Sequence, residues 1–269
     1  MLRYAAFTTD PAGGNPAGVV LDASGLDDAA MQAIAAELGY SETAFVTGKY
    51  AVRYFSPKAE VPFCGHATVA TAVALAERIG PGQLNFSTLA GQVAVTVDEL
   101  LRATLTSVEP YVEEIGDVSE VLDILAWQAD QLDPALPPAI AYAGARHLVL
   151  STLTRQRLAQ LDYDFDRLLA FMLERDLTTL QLVWRESANT FHVRDPFPVG
   201  GVVEDPATGA AAAAFGAYLR ELGAVQAPVT LTLHQGDDLG RPSLIEVELR
   251  AEDNRVRVSG NAVSIAEPG

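Results

Sequence analysis

Two short stretches decide the fold of this chain: PFCGHAT at residues 62–68 and EDPATGA at residues 204–210. Each carries reactive side chains and a glycine, and each leads into a run of small apolar residues, at 69–76 and 211–219. These runs predict helices without a polar face, which are typical of helices enclosed on several sides. The first N–H groups of a helix lack intrahelical partners and its dipole is positive there, so two such starts facing each other would bind an anion. The alternative is two unrelated core helices.

The same order of elements is predicted in both halves of the chain. Each half has a strand-rich body, an early helix and a late small-residue helix, and the acidic stretch 109–117 reads as a crossover between them. Strict alternation of strands and helices is absent, which disfavours a doubly wound parallel sheet. We therefore predict an α+β fold with two lobes, residues 1–112 and 113–269. The predicted helices cover residues 27–38, 69–76, 154–161, 165–174 and 211–219.

Composition and charge limit the partners. The 269 residues are 49% hydrophobic and carry 35 acidic against 18 basic side chains, a net charge of −17. Nucleic acids and anionic membranes are therefore not expected, because phosphate binding needs basic patches. Cys64 is the single cysteine, so no intrachain disulfide can form and a reducing compartment is indicated. No signal peptide or apolar run of ~20 residues is visible, and we expect a cytoplasmic protein.

Familiar cofactor and metal motifs are missing from the sequence. It has no Walker loop, no dinucleotide fingerprint and no nucleophile elbow. Its four histidines are far apart and none has metal-ligand spacing, so no metal and no cofactor are predicted. The remaining chemistry is that of carboxylates, an imidazole and a thiol, which favours proton transfer.

A series of blocks resembles the PhzF-like family of phenazine-biosynthesis proteins and runs in family order along nearly the whole chain. The blocks are GNPAGVV (14–20), SETAFV (41–46), RYFSP (53–57), CGHAT (64–68), Arg194, EDPATG (204–209), QG (235–236) and GRPS (240–243). The resemblance implies a diaminopimelate-epimerase-like fold of two pseudo-symmetric domains, each a curved, mostly antiparallel sheet around a central helix. It also implies an active site between the domains and a last strand that can return to the first lobe. The activity implied is that of a cofactor-independent isomerase, usually a homodimer, and the anion argument adds a small carboxylate-bearing metabolite as substrate.

Three residues carry the chemistry that the resemblance implies. A glutamate at the position of Glu42 is the general acid/base, and His66 and Asp205 complete the site. Asp205 also precedes a proline and could cap the second small-residue helix. The residues expected to bind substrate are Asn15, Ser41, Gly65, Ala67, Thr68, Gly209, Ala210 and Ser243.

Two departures from related patterns leave alternatives open. Epimerases of this fold use a cysteine at each loop, and those positions fall on Cys64 and Asp205, so one thiol is missing. Many PhzF-like chains have a serine where this one has Ala210, which removes one hydroxyl donor. The alternatives are an amino-acid epimerase-like enzyme using Cys64 and Asp205 as opposed bases, and a non-catalytic small-anion-binding protein.

Overall fold

The computed structural model describes residues 1–266 and divides the chain into two compact units. The first unit is Met1–Thr106 together with the chain from Ser259 onward, and the second is Ser107–Val258. The lobe boundary predicted at residue 112 stays a prediction. Within residues 1–266, no helix has both the length and the apolar character that crossing a bilayer requires.

In its described residues the first unit is built mainly of short strands, with two helices. Its elements are β1 (Leu2–Ala6), β2 (Asn15–Val20), α1 (Asp28–Leu38), β3 (Glu42–Val46), β4 (Val52–Phe55), β5 (Glu60–Val61), α2 (Gly65–Ile79), β6 (Gly82–Thr88), β7 (Gly91–Val97) and β8 (Arg102–Thr106). Adjacent strands pair antiparallel except β2 and β3, which are parallel and joined by α1. Helix α2 packs against β1, β2, β3, β7 and β8, so the small side chains of its sequence are the core of this unit.

The second unit repeats this plan with additional helices. Its elements are β9 (Tyr111–Glu114), α3 (Ser119–Ile124), β10 (Ala139–Tyr142), β11 (Arg146–Thr152), α4 (Arg155–Ala159), α5 (Phe165–Glu174), β12 (Thr179–Arg185), β13 (Thr190–Pro196), β14 (Glu204–Asp205), α6 (Gly209–Glu221), β15 (Val229–Gln235), β16 (Ser243–Arg250) and β17 (Asp253–Ser264). The last strand begins in the second unit and ends in the first, where it pairs antiparallel with β1.

Helix α6 is the centre of the second unit. It packs against β9, β10, β11, β12 and β16, and every residue from Ala211 to Leu219 is buried. A Cβ atom added at Gly216 would lie 2.6 Å from Val247 Cγ1, so β16 and the helix are already in close contact there. The opposite face of β11 and β12 is covered by α3 and α5 through an apolar cluster that includes Leu148, Leu182 and Phe171. The predicted α+β fold class is confirmed.

Candidate active site

The first stretch singled out in the sequence folds into the start of α2. Cys64 occupies the N-cap with extended backbone angles, and its side chain makes no capping hydrogen bond. Gly65, His66 and Ala67 form the first turn, whose N–H groups have no partner within an α-helix. The Thr68 N–H already donates to the Cys64 carbonyl oxygen at 3.0 Å. The groups at this helix end that suit an anion are therefore those of residues 65–67.

Five polar side chains from three parts of the first unit meet at this helix start: Asn15, Ser41, Glu42, Cys64 and His66. We call them the His66 cluster. Glu42 Oε2 lies 3.5 Å from His66 Nε2, and the Cys64 thiol donates to the same oxygen at 3.4 Å. The Glu42 side chain is 14% exposed and that of His66 6%, so this carboxylate is partly shielded from water but still accessible.

The hydrogen-bond contacts of His66 indicate which ring nitrogen carries the hydrogen. The Asn15 amide nitrogen lies 3.1 Å from His66 Nδ1 and donates to it, which leaves the ring hydrogen on Nε2. Nε2 faces Glu42 and also lies 3.3 Å from Ser41 Oγ. Asn15 is itself buried at the start of β2. The imidazole is therefore oriented as a hydrogen-bond donor towards the carboxylate.

A second hydrogen-bond chain supports the backbone of this loop. The Tyr54 hydroxyl donates to Thr68 Oγ1 at 2.7 Å, and Thr68 Oγ1 donates to the Cys64 carbonyl oxygen at 2.6 Å. Burial raises the pKa of Tyr54 above its ordinary value, which keeps its hydroxyl protonated. The Thr68 side chain thus holds the loop that carries Cys64, and its substrate-binding role stays a prediction. Tyr54 was not predicted, because it reads as an ordinary aromatic residue of an apolar strand.

The second unit carries the other residues predicted for the site. Asp205 ends β14 and is buried, and its Oδ2 accepts a hydrogen bond from the Thr208 hydroxyl at 2.7 Å. Thr208, not Asp205, is the N-cap of α6, so the expected capping role of Asp205 is wrong. Gly209 and Ala210 are the first two residues of this helix, and its N-cap side chain makes no capping hydrogen bond.

Gln235 organises the loop around Asp205 and was not predicted from the sequence. Its amide nitrogen donates to the Asp205 carbonyl oxygen at 2.8 Å, and its Oε1 accepts the Thr208 N–H at 3.0 Å. Ser243 pairs with Gln235 across β15 and β16, but its hydroxyl donates to the Arg241 carbonyl oxygen at 3.1 Å. The substrate-binding role of Ser243 stays a prediction.

A buried ion pair anchors the strand that carries Asp205. Arg194 Nε donates to Glu204 Oε1 at 2.9 Å, and the guanidinium also donates to the Ala159 carbonyl oxygen at 2.8 Å. Because both charged groups are buried, each depends on the other to offset its lost hydration.

Behind Asp205 lies a buried polar chain formed by Asp195, Thr179 and His147. Asp195 pairs with Asp205 across β13 and β14, and it accepts a hydrogen bond from Thr179 Oγ1 at 3.2 Å. Thr179 Oγ1 lies 2.8 Å from His147 Nδ1, which must then be the donor. Burial, and next the negative charge of Asp205, raise the pKa of Asp195 well above its ordinary value. Burial lowers the pKa of His147 to about 3, so this imidazole is neutral.

Comparison with known proteins decides the family. The profile of the family described as "Phenazine biosynthesis-like protein" (PhzC-PhzF) matches residues 4–268. The chain belongs to this family. It is an isomerase, since its curated relatives are named as isomerases.

Two relatives and one solved structure illustrate the similarity. "Uncharacterized isomerase YddE" of Escherichia coli K12 is 34% identical over 96% of this chain and 93% of the relative. "Trans-2,3-dihydro-3-hydroxyanthranilate isomerase" of Pseudomonas fluorescens is 32% identical over 96% of this chain and 94% of the relative. The crystal structure of a PhzF-family phenazine biosynthesis protein from Bacillus anthracis matches with a TM-score of 0.87. It is 26% identical and the match covers 98% of this chain and 96% of that one.

Proposed function

We propose that this isomerase moves a proton between carbon atoms of a small carboxylate-bearing metabolite, without a cofactor, and that Glu42 is its general acid/base. The observation that carries the proposal is the position of the Glu42 carboxylate, 3.5 Å from His66 Nε2 and 3.4 Å from Cys64 Sγ. A carboxylate that is partly shielded from water and still accessible can accept a proton from one carbon and return it to another.

His66 has a supporting role in this proposal. The hydrogen bond from Asn15 to Nδ1 orients the ring, so that the Nε2–H group can donate to Glu42 or to a substrate oxygen that gains negative charge. Stabilising that charge lowers the barrier to removal of the carbon-bound proton. Asn15 then acts through His66 as a positioning residue.

The start of α2 supports binding of a carboxylate. Its first turn contains no acidic side chain and its N-cap residue makes no side-chain capping bond. The N–H groups of residues 65–67 and the positive end of the helix dipole are therefore suited to an anionic group of the substrate. Apart from its chain neighbours and the nearby helix backbone, a Cβ atom added at Gly65 would meet no described atom within 4 Å, so other side chains do not crowd this position.

The substrate class is proposed on two grounds. The helix start favours a carboxylate, and relatives 32% identical to this chain are named as isomerases of trans-2,3-dihydro-3-hydroxyanthranilate, an amino acid. We propose small unsaturated or hydroxylated carboxylic acids as substrates, with that compound as the first candidate. The family resemblance also supports a homodimer, which light scattering would test.

The decisive experiment follows carbon–hydrogen exchange in heavy water. We expect wild-type protein to exchange a carbon-bound hydrogen of its substrate with solvent and Glu42→Gln, which keeps the shape but cannot accept a proton, to lose this exchange. Glu77→Gln is the matched control, because Glu77 lies near the other end of α2 and accepts a hydrogen bond from Tyr4. Full exchange by Glu42→Gln would contradict the proposed role.

A second function has one specific observation in its favour. Cys64 Sγ lies 3.3 Å from His66 Nδ1 as well as 3.4 Å from Glu42, so its proton has acceptors within reach. This would suit an epimerase that uses Cys64 as a base, with Asp205 as the other base. Cys64→Ser separates the two proposals: activity close to wild type favours Glu42, whereas loss of activity in Cys64→Ser with retention in Glu42→Gln favours the epimerase.

A further inference from the structure

We propose that Glu42, Cys64 and His66 form a zinc-binding site. Their side chains supply one oxygen, one sulfur and one nitrogen atom, which are the three ligand types that zinc binds in proteins. Among residues 1–266 they are the group of such side chains whose ligand atoms converge, all within 4.8 Å of one another. The three residues come from β3 and from the start of α2, and all belong to the first unit.

The distances between the ligand atoms match the size of a zinc ion. Glu42 Oε2 lies 3.4 Å from Cys64 Sγ and 3.5 Å from His66 Nε2, and the sulfur lies 3.8 Å from the same nitrogen. A point equidistant from the three atoms is about 2.1 Å from each, while zinc binds nitrogen and oxygen at about 2.0–2.2 Å and thiolate sulfur at about 2.3 Å. An ion slightly out of the plane of the three atoms meets these lengths without movement of the backbone.

The chemistry of the ligand set selects zinc over harder cations. A thiolate and an imidazole favour zinc, whereas magnesium and calcium prefer oxygen ligands alone. Binding requires the thiolate and the unprotonated Nε2, so the Cys64 thiol loses its proton to solvent and the ring hydrogen moves to Nδ1. Affinity therefore falls as the pH is lowered. Catalytic zinc sites typically have three protein ligands, so water or a ligand carboxylate would fill the fourth position.

Asn15 is placed to orient the His66 ring in the proposed zinc site. A histidine that binds a metal through one ring nitrogen usually donates the hydrogen on the other to an oxygen atom, which orients the ring. The Asn15 side chain already lies 3.1 Å from Nδ1, and rotation of its amide by half a turn presents Oδ1 to the Nδ1–H group. Loss of such a hydrogen-bond partner of a metal ligand typically weakens metal binding about 10- to 100-fold.

Zinc bound here would occupy the lone pairs of Glu42 and His66. This consequence rests on the proposed function, in which Glu42 transfers the proton and the Nε2–H group of His66 donates a hydrogen bond. A zinc ion would then inhibit the enzyme reversibly, and a chelator would restore it.

Cobalt(II) is the probe for the test because it replaces zinc and absorbs light. Cys64 is the single cysteine of the chain, so a thiolate-to-cobalt charge-transfer band can come only from this residue. We expect chelator-treated protein to gain that near-ultraviolet band and tetrahedral visible bands with cobalt, and to lose both on addition of zinc. Asn15→Ala and Glu42→Gln should weaken cobalt binding by about 10-fold or more.

The control is His192→Asn in the second unit. His192 lies 3.3 Å from Glu186 and 3.4 Å from Asp237, so it is an imidazole with acidic neighbours outside the proposed site, and we expect its loss to leave the charge-transfer band unchanged. No charge-transfer band in wild-type protein at saturating cobalt would overturn the proposal, as would unchanged affinity in Glu42→Gln. The spectrum requires no substrate, so the zinc site and the isomerase mechanism fail or succeed separately.

Discussion

Replacement of His147 by asparagine should remove one component of the acid sensitivity of the second unit. His147 is fully buried on β11, donates from Nδ1 to Thr179 and has no described partner at Nε2. Burial lowers its pKa from 6.5 to about 3, because a charged imidazole there would lose its hydration. Asparagine keeps a donor near the position of Nδ1 but cannot take up a proton.

The size of the effect follows from proton linkage. The unfolded chain protonates His147 near pH 6.5, whereas the folded protein does not do so until about pH 3. The contribution to stability is therefore complete above pH 6.5 and is lost as the pH falls towards 3. Each pH unit in this window costs about 1.4 kcal/mol, so the free energy of unfolding falls by about 2 kcal/mol at pH 5. In His147→Asn this component is absent, whatever constant loss the smaller side chain causes.

The measurement can be confined to the second unit. Both tryptophans of the chain, Trp127 and Trp184, lie there, so urea unfolding followed by tryptophan fluorescence reports on the unit that contains His147. Stability is measured from pH 8 to pH 5 for wild type and His147→Asn, with His192→Asn as the control for loss of an imidazole. A difference between wild type and His147→Asn that stays constant over this range would refute the reasoning.

Three further predictions concern strain, charge and a buried acid. Gly14→Ala should destabilise the protein and displace Asn15, because Gly14 has φ +64 and an added Cβ would lie 2.5 Å from a backbone oxygen. Gly65→Ala is the control and should fold normally, and thermal unfolding compares the two variants. Arg194→Gln should lower the free energy of unfolding by about 3–5 kcal/mol, because it leaves the Glu204 carboxylate buried without its partner. Arg53→Gln, at the more exposed pair with Glu60, should cost about 0–1 kcal/mol, and equal losses in urea unfolding would contradict this. The unfolding free energy of Asp195→Asn should rise relative to that of wild type as the pH rises above about 4, by up to about 1.4 kcal/mol per pH unit, because folded wild type opposes ionisation of Asp195. A difference between the two proteins that does not change with pH would show that Asp195 is already ionised.

Elements with a strong local pattern were predicted well from the sequence. Helix α5 has the predicted bounds, Phe165–Glu174, because its apolar spacing is regular and the Asp164 side chain caps it. Helix α2 begins earlier than predicted, at Gly65, since its polar first turn carries no apolar periodicity. Strand β9 was missed within the acidic stretch taken as a crossover, because Glu113 and Glu114 give it no clean alternation and pairing with β10 forms it.

Cys64 and His66 were singled out by their place at a predicted helix start, whereas Asn15, Ser41 and Glu42 could be named only through family resemblance. The distances between the side chains of the His66 cluster depend on how β2, β3 and α2 pack, and local sequence patterns do not predict this packing. Tyr54 and Asp195 were missed for a related reason: each is a polar group in a largely apolar strand, and its partner lies 14 or 16 residues away. The catalytic roles of Glu42, His66 and Asp205 stay predictions.

Both central helices begin without a side-chain cap, although α1, α4 and α5 are capped by Asp27, Thr154 and Asp164. A capping side chain is typically worth about 1 kcal/mol, so each open helix end leaves some stability unrealised. A ligand oxygen at such an end would supply the missing acceptor, and the folded protein would then melt at a higher temperature by mass action. At a ligand concentration of about 100 times Kd, binding adds about 2.7 kcal/mol. Melting temperature can therefore rank carboxylic acids by affinity without any reaction being followed.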